Sequence, residues 1–124
     1  MSKRILLVDD SAVTRSLIRA FLESHPQFEI CGEASDGAEG LVKALELKPD
    51  LIVLDLSMPR VNGLQAAVMF HKFVPNTPII LFTLFKGEIL DGVARRAGVA
   101  SVVSKADEIT LLADEVQRLT ASAN

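Results

Sequence analysis

Short, unbroken apolar runs recur along this chain, and each is followed by a stretch of helical periodicity. Ile5-Leu6-Leu7-Val8, Leu51-Ile52-Val53-Leu54 and Ile79-Ile80-Leu81-Phe82 do not alternate with polar residues. Such runs suit strands covered on both faces, as in a parallel sheet. The expected strands are Arg4–Val8, Phe28–Gly32, Leu51–Leu56, Pro78–Thr83 and Ser101–Ser104. Between them the period becomes 3.6, giving five apolar stripes: Val13/Leu17/Ile18/Phe21/Leu22, Ala38/Leu41/Val42/Leu45, Leu64/Ala67/Val68, Ile89/Leu90/Val93/Ala94/Ala97 and Ile109/Leu112/Val116/Leu119. Met69, Phe70 and Phe73 make the third apolar on more than one side.

The punctuation agrees with that division. Ser11 or Asp10, Asp36 with Glu39 three residues on, and Asp107 stand where N-caps belong. Pro26, Pro49 and Pro75 follow helical stretches, and Gly98 ends the fourth. Only Thr120–Asn124 reads as a frayed tail. The order βαβαβαβαβα, in one domain over residues 1–124, predicts an α/β fold: a doubly wound five-stranded parallel sheet with helices on both faces. The compact solution is the flavodoxin-like strand order 2-1-3-4-5, with a switch point between strands one and three.

Composition narrows the function classes. The apolar fraction of 49% excludes disorder, and a net charge of −3 disfavours direct nucleic-acid binding. Cys31 alone cannot form an internal disulfide or a multi-cysteine zinc site. No run approaches the roughly 18 apolar residues of a membrane span, and the apolar run after Lys3-Arg4 is too short for a signal peptide, so a soluble, cytoplasmic domain is expected.

Ligands of open α/β sheets bind beyond the carboxyl ends of the strands, at the switch point. There strand one runs into Asp9-Asp10, strand three into Asp55, strand four into Thr83 and strand five into Lys105. Three carboxylates that close cannot all ionise without a counter-ion. Oxygen-only ligands with room for water suit Mg²⁺. With the ion and Lys105, the site is near neutrality and can accept a phosphoryl group. Singly, each residue has an ordinary reading: Asp10 or Ser11 a helix cap, Asp55 a loop carboxylate, Thr83 a strand end, Lys105 a solvated charge. Five such side chains at one sheet edge make a constellation.

Other chemistries fit poorly. There is no Walker-type phosphate loop, and Gly32, Gly37 and Gly40 lack dinucleotide-binding spacing. Ser57 and Ser104 lack a positioned histidine, and His25 and His71 read as structural or solvated. Two other readings of such a site are a Mg²⁺-dependent phosphohydrolase with Asp55 as nucleophile, which lacks sequence for a cap over the site, and a docking module that is never phosphorylated.

The combination of Ile5–Ser11, Asp55-Leu56-Ser57-Met58-Pro59, Asn62-Gly63, Thr83 and Lys105 resembles the receiver domain of a two-component response regulator, over essentially the whole chain. The resemblance implies Asp55 as phosphoacceptor and Asp9, Asp10, Asp55 and the Ser57 backbone carbonyl as Mg²⁺ ligands. It makes Thr83 the switch hydroxyl, Lys105 the phosphate-contacting lysine, and Ser57 and Phe85 the mouth of the site, where a bulky Phe85 ring would exclude hydrolytic water. It implies a sensor histidine kinase or phosphotransfer protein as partner, an unspecified output protein or effector domain, and no catalysis beyond the domain's own phosphorylation and dephosphorylation. Two departures stand out. Ala106 replaces the family's usual proline after the lysine, so the Lys105 loop is expected all-trans. Val102 replaces an aromatic reporter, so no ring flip is expected. Mixed charges on helices four and five, among them Glu88, Asp91, Arg95, Arg96, Asp107, Glu108, Asp114, Glu115 and Arg118, could pair across a two-fold axis in a homodimer.

Overall fold

The computed structural model describes residues 2–121. Five strands alternate with five helices: β1 (Lys3–Val8), α1 (Ala12–Glu23), β2 (Phe28–Ala34), α2 (Gly37–Leu47), β3 (Leu51–Leu54), α3 (Gly63–Phe73), β4 (Ile79–Thr83), α4 (Glu88–Arg96), β5 (Ser101–Ser104) and α5 (Thr110–Thr120). All pairings are parallel, in the order β2-β1-β3-β4-β5. The expected topology is the one observed.

The central strands are apolar on both faces because each face has its own core. Ile5, Leu7, Leu51, Val53, Ile80 and Phe82 point to α1 and α5, meeting Ile18, Leu22, Leu112 and Val116. Leu6, Val8, Ile52, Leu54, Ile79 and Leu81 point the other way, to Ala44, Ala66, Ala67, Phe70 and Ala94. The period-2 side-chain alternation of each strand thus feeds two layers.

β1 and β4 begin one residue from the expected start, at Lys3 and Ile79, and three larger differences have identifiable reasons. β3 stops at Leu54, because the Leu56 carbonyl accepts from Gly63 N–H at 2.8 Å and the chain turns into α3. β2 continues to Ala34: its register slips by one residue at Cys31, and Glu33 and Ala34 then pair with Leu7 and Val8. Cys31 is accordingly half-buried, not a core residue. Thr120 is not frayed; it is buried in the last turn of α5, where its hydroxyl donates to the Val116 carbonyl at 2.7 Å. Residues 122–124 of the expected tail lie outside the described residues.

The helix stripes are also corrected. Val13, Leu17, Val42, Leu45, Val68 and Ile89 are all exposed. In α2 and α3 most sheet-facing positions are small instead, Gly37, Gly40 and Ala44 in the one and Gly63, Ala66 and Ala67 in the other, with Phe70 the large side chain buried among them. A Cβ on Gly40 would stand 3.0 Å from Val8 Cγ2 and 3.1 Å from Phe70 Cζ, so close helix–sheet approach uses small residues and leaves larger ones at the flanks.

Candidate functional site

The carboxyl ends of β1 and β3 meet where the strand order reverses. Asp9 follows β1 and Asp55 follows β3; both are buried, at 4% and 7% exposure. The Asp55 N–H continues the β1–β3 ladder, donating to the Val8 carbonyl at 2.9 Å, which fixes the residue beyond the last paired residue of the strand. Beneath it, a Cβ on Gly63 would lie 2.2 Å from the Asp55 carbonyl oxygen, so the close approach of α3 to this turn admits glycine alone.

Capping decides between two readings of the acid pair. Ser11, not Asp10, caps α1: its side chain accepts from Thr14 N–H at 3.1 Å. Asp9 accepts the Ser11 N–H at 2.9 Å, and Asp10 remains exposed. The carboxylates of Asp9, Asp10 and Asp55 each present an oxygen within 4.8 Å of the others. Adjacent ligand oxygens of an octahedral Mg²⁺ lie about 2.9 Å apart and opposite ones about 4.2 Å apart, given metal–oxygen distances near 2.1 Å, so this all-oxygen cluster fits that ion after small adjustment.

Lys105, after β5, reaches across the site. Its Nζ donates to Asp9 Oδ2 and to Asp55 Oδ1, both at 3.2 Å. Its backbone N–H donates to the Thr83 carbonyl at 2.7 Å, tying the lysine loop to the end of β4. Burial raises the Asp55 pKa above the ordinary carboxylate value, and the Asp9 charge adds to that. The Lys105 ammonium and the Ser57 backbone N–H oppose the rise. The five side chains singled out from the sequence thus stand at one sheet edge, with the lysine as counter-ion to two buried carboxylates. No peptide bond among the described residues is cis, in keeping with Ala106 after Lys105.

Thr83 is buried at the end of β4, and its hydroxyl oxygen accepts the Phe85 N–H at 3.3 Å. Ser57 is exposed beside the site. Phe85 is 58% exposed and lines an open apolar groove with Leu56, Leu64, Ile89, Leu90 and Val93, so its ring has not turned into the core. Val102 packs half-buried against the core formed with α2, α3 and α4. Asp107 does not cap α5. That helix starts at Thr110 without a side-chain cap, because Asp107 N–H closes a turn on the Ser104 carbonyl. The capping box that the sequence reading passed over is Asn62 with Gln65, which starts α3 just past the Asp55 loop.

A doubly wound sheet carrying three acids, a hydroxyl and a lysine at its switch point defines a receiver-type domain. Residues 5–117 match the response regulator receiver domain family, and the chain belongs to it. It is 37% identical over 103 residues to a protein-glutamate methylesterase/protein-glutamine glutaminase of Thermotoga maritima, a match covering 82% of this chain and 30% of that protein. It is 36% identical over 114 residues to the transcriptional regulatory protein LiaR of Bacillus subtilis, covering 92% of this chain and 54% of that one. The chain therefore spans about a third to a half of these relatives. Among solved structures, the response regulator domain of Thermotoga maritima CheB aligns with a TM-score of 0.84 at 32% identity, over 99% of this chain and 96% of that one. A LuxR-family two-component response regulator from Aurantimonas sp. SI85-9A1 aligns with a TM-score of 0.94 at 28% identity, over 98% and 87%. No helix among the described residues is long and apolar enough to cross a membrane.

Proposed function

We propose that residues 1–124 form one receiver domain that works as a Mg²⁺-dependent phosphorylation switch with Asp55 as phosphoacceptor. The observation that carries this assignment is the Lys105 ammonium 3.2 Å from both Asp9 and Asp55, beside an exposed Asp10 that caps nothing. The donor is a phosphohistidine of a sensor histidine kinase or phosphotransfer protein. An Asp55 carboxylate oxygen attacks phosphorus, the phosphorus–nitrogen bond breaks, and its electron pair stays on the nitrogen, leaving a neutral imidazole that keeps the proton the donor ring carried on its other nitrogen. Asp9, Asp10, Asp55 and the Ser57 backbone carbonyl hold the Mg²⁺. When bound, the ion supplies positive charge to the phosphoryl oxygens as negative charge builds on them.

The chain's own groups do the rest. Lys105 holds Asp55 ionised before transfer and then exchanges a carboxylate contact for a phosphoryl oxygen, a stronger partner carrying roughly −1.5 to −2 charges. Thr83 donates its hydroxyl proton to another phosphoryl oxygen. Turning toward it weakens the bond that Phe85 N–H makes to Thr83 Oγ1, and so releases the β4–α4 loop. In this reading the chain catalyses only its own phosphorylation and dephosphorylation, in the cytoplasm, and passes the signal to an output protein or effector domain. Ser57 and Phe85 flank the path of hydrolytic water. The test is phosphoryl uptake from acetyl phosphate with and without Mg²⁺, in the wild-type chain and in Asp10→Asn. The assignment expects Mg²⁺-dependent uptake by wild type alone; equal uptake by the variant in Mg²⁺ would refute the metal set.

A further inference from the structure

Arg15 takes no part in the scheme above, yet it is tied to the acid cluster. It lies in the first turn of α1 with its side chain only 17% exposed. Its Nη1 donates to the Asp9 carbonyl oxygen at 2.6 Å, and its Nε donates to Glu33 Oε1 at 2.9 Å. Glu33 is held in turn: its other carboxylate oxygen accepts Arg19 Nε at 2.7 Å, and its backbone carbonyl accepts the Lys43 ammonium from α2. Side chains from α1 and α2 thus converge on one residue of β2, and a single guanidinium links that residue to the backbone at the end of β1.

The carbonyl that Arg15 grips belongs to the peptide joining Asp9 to Asp10. The β1–β2 register ends at Val8 and Ala34, and the Asp9 N–H still donates to the Ala34 carbonyl at 3.0 Å. The next peptide lies past the ladder, and Arg15 supplies its anchor. The Asp9 carboxylate is separately fixed, by Ser11 N–H and by Lys105. Asp10 is different: it is exposed, and among the described residues no side-chain hydrogen bond holds its carboxylate. Its direction depends on the peptide plane before it. Groups that orient metal ligands from behind carry much of a site's affinity.

We propose that Arg15 is a positioning residue for the cation site: braced by Glu33, it fixes the Asp9–Asp10 peptide and so aims the Asp10 carboxylate into the cluster. This rests on the Mg²⁺ reading above. It also makes a prediction opposite in sign to simple electrostatics. Arg15 carries a positive charge behind a cation site, so deleting that charge would by Coulomb's law alone tighten cation binding. If its role is geometric, deletion weakens binding.

The experiment titrates MgCl₂ into the ¹⁵N-labelled chain, following the Asp10 and Ser11 amides, with thermal unfolding in EDTA measured alongside. Arg15→Gln is expected to weaken Mg²⁺ binding about tenfold, the low end for groups behind a metal ligand. Arg15→Lys keeps the charge but loses the fork that spans two acceptors, and is expected to weaken it as well. Arg15→Gln combined with Glu33→Gln should bind no more weakly than Arg15→Gln alone, because Glu33 acts through the guanidinium. Affinity unchanged or tighter in folded Arg15→Gln would overturn the proposal; if that variant does not fold, unchanged affinity in Arg15→Lys does the same. Wild-type amides indifferent to Mg²⁺ would overturn the metal reading and this inference together, whereas wild-type binding retained in full by the variants would remove only the role of Arg15.

Discussion

Replacing Lys105 by Met removes the counter-charge of the site while keeping the aliphatic stem. Each of its two contacts is 3.2 Å long, and the carboxylates concerned are 5% and 7% exposed. At an effective dielectric constant near 20, each contact has a gross attraction of about 5 kcal/mol. Most of that is offset, because the ammonium no longer has to be desolvated and Asp55, whose pKa burial already raises, can take up a proton. A net loss of about 3 kcal/mol is expected in metal-free buffer at neutral pH, typical of breaking a buried ion pair from one side. For a domain of this size that lowers Tm by roughly 10 °C. The pH dependence has a definite sign. A carboxyl with a raised pKa in the folded state binds protons more tightly folded than unfolded, so the charge of Asp55 costs stability above its folded pKa and the cost is relieved as pH falls through it. The deficit of Lys105→Met should therefore shrink on acidification. Saturating MgCl₂ should also recover part of it, by supplying the missing positive charge. Thermal unfolding of both proteins in EDTA and in MgCl₂ gives the answer. Equal Tm in EDTA, or a deficit that neither acid nor MgCl₂ reduces, would mean that Lys105 is not the counter-ion of these acids.

Other substitutions probe separate parts of the account. Thr83→Ala should still accept the phosphoryl group but lose most of the phosphorylation-dependent amide shifts over residues 84–93, because the hydroxyl that bonds Phe85 N–H is gone; wild-type shifts in the variant would refute its switch role. Gly63→Ala drives a Cβ to 2.2 Å from the Asp55 carbonyl oxygen, and should destabilise the chain by about 3 kcal/mol or more while slowing phosphorylation; wild-type stability in urea would contradict the close approach of α3. Glu115 is held near pKa about 2 by hydrogen bonds from Arg118 and Ser101. Its stabilisation is therefore present above its unfolded pKa of about 4.5 and lost as pH falls from there through 2, so Glu115→Gln should cost no more than about 1 kcal/mol at pH 7 and only a small part of that at pH 2. Urea unfolding at the two pH values checks this, and a cost independent of pH would refute it.

How much of this could be read from the sequence depends on how local the signal is. The doubly covered strands were legible because Leu6 and Leu7 point to opposite cores and both must be apolar. The acids and the lysine were legible because each breaks or follows such a run. β2 was read short because Glu33 is polar: it sits at the edge of the sheet, where its charge is met by Arg15 and Arg19 from α1, a pairing that no local pattern announces. The faces of α2 and α3 were misplaced because Gly40 and Ala66 carry little hydrophobic signal, although the sheet lies against them. Arg15 reads as an ordinary helix-surface charge until the carbonyl of Asp9 is seen within its reach. Asp107 had the right residue type for a cap, but the turn that closes on Ser104 delays the helix past it.

The central claim is that Asp55 receives the phosphoryl group, and intact mass spectrometry after incubation with acetyl phosphate and Mg²⁺ tests it most directly. The account predicts a mass gain of one phosphoryl group in the wild-type chain, dependent on Mg²⁺ and absent in Asp55→Asn, whose fold should be intact. An equal gain in Asp55→Asn, or no gain in the folded wild-type chain, would contradict it.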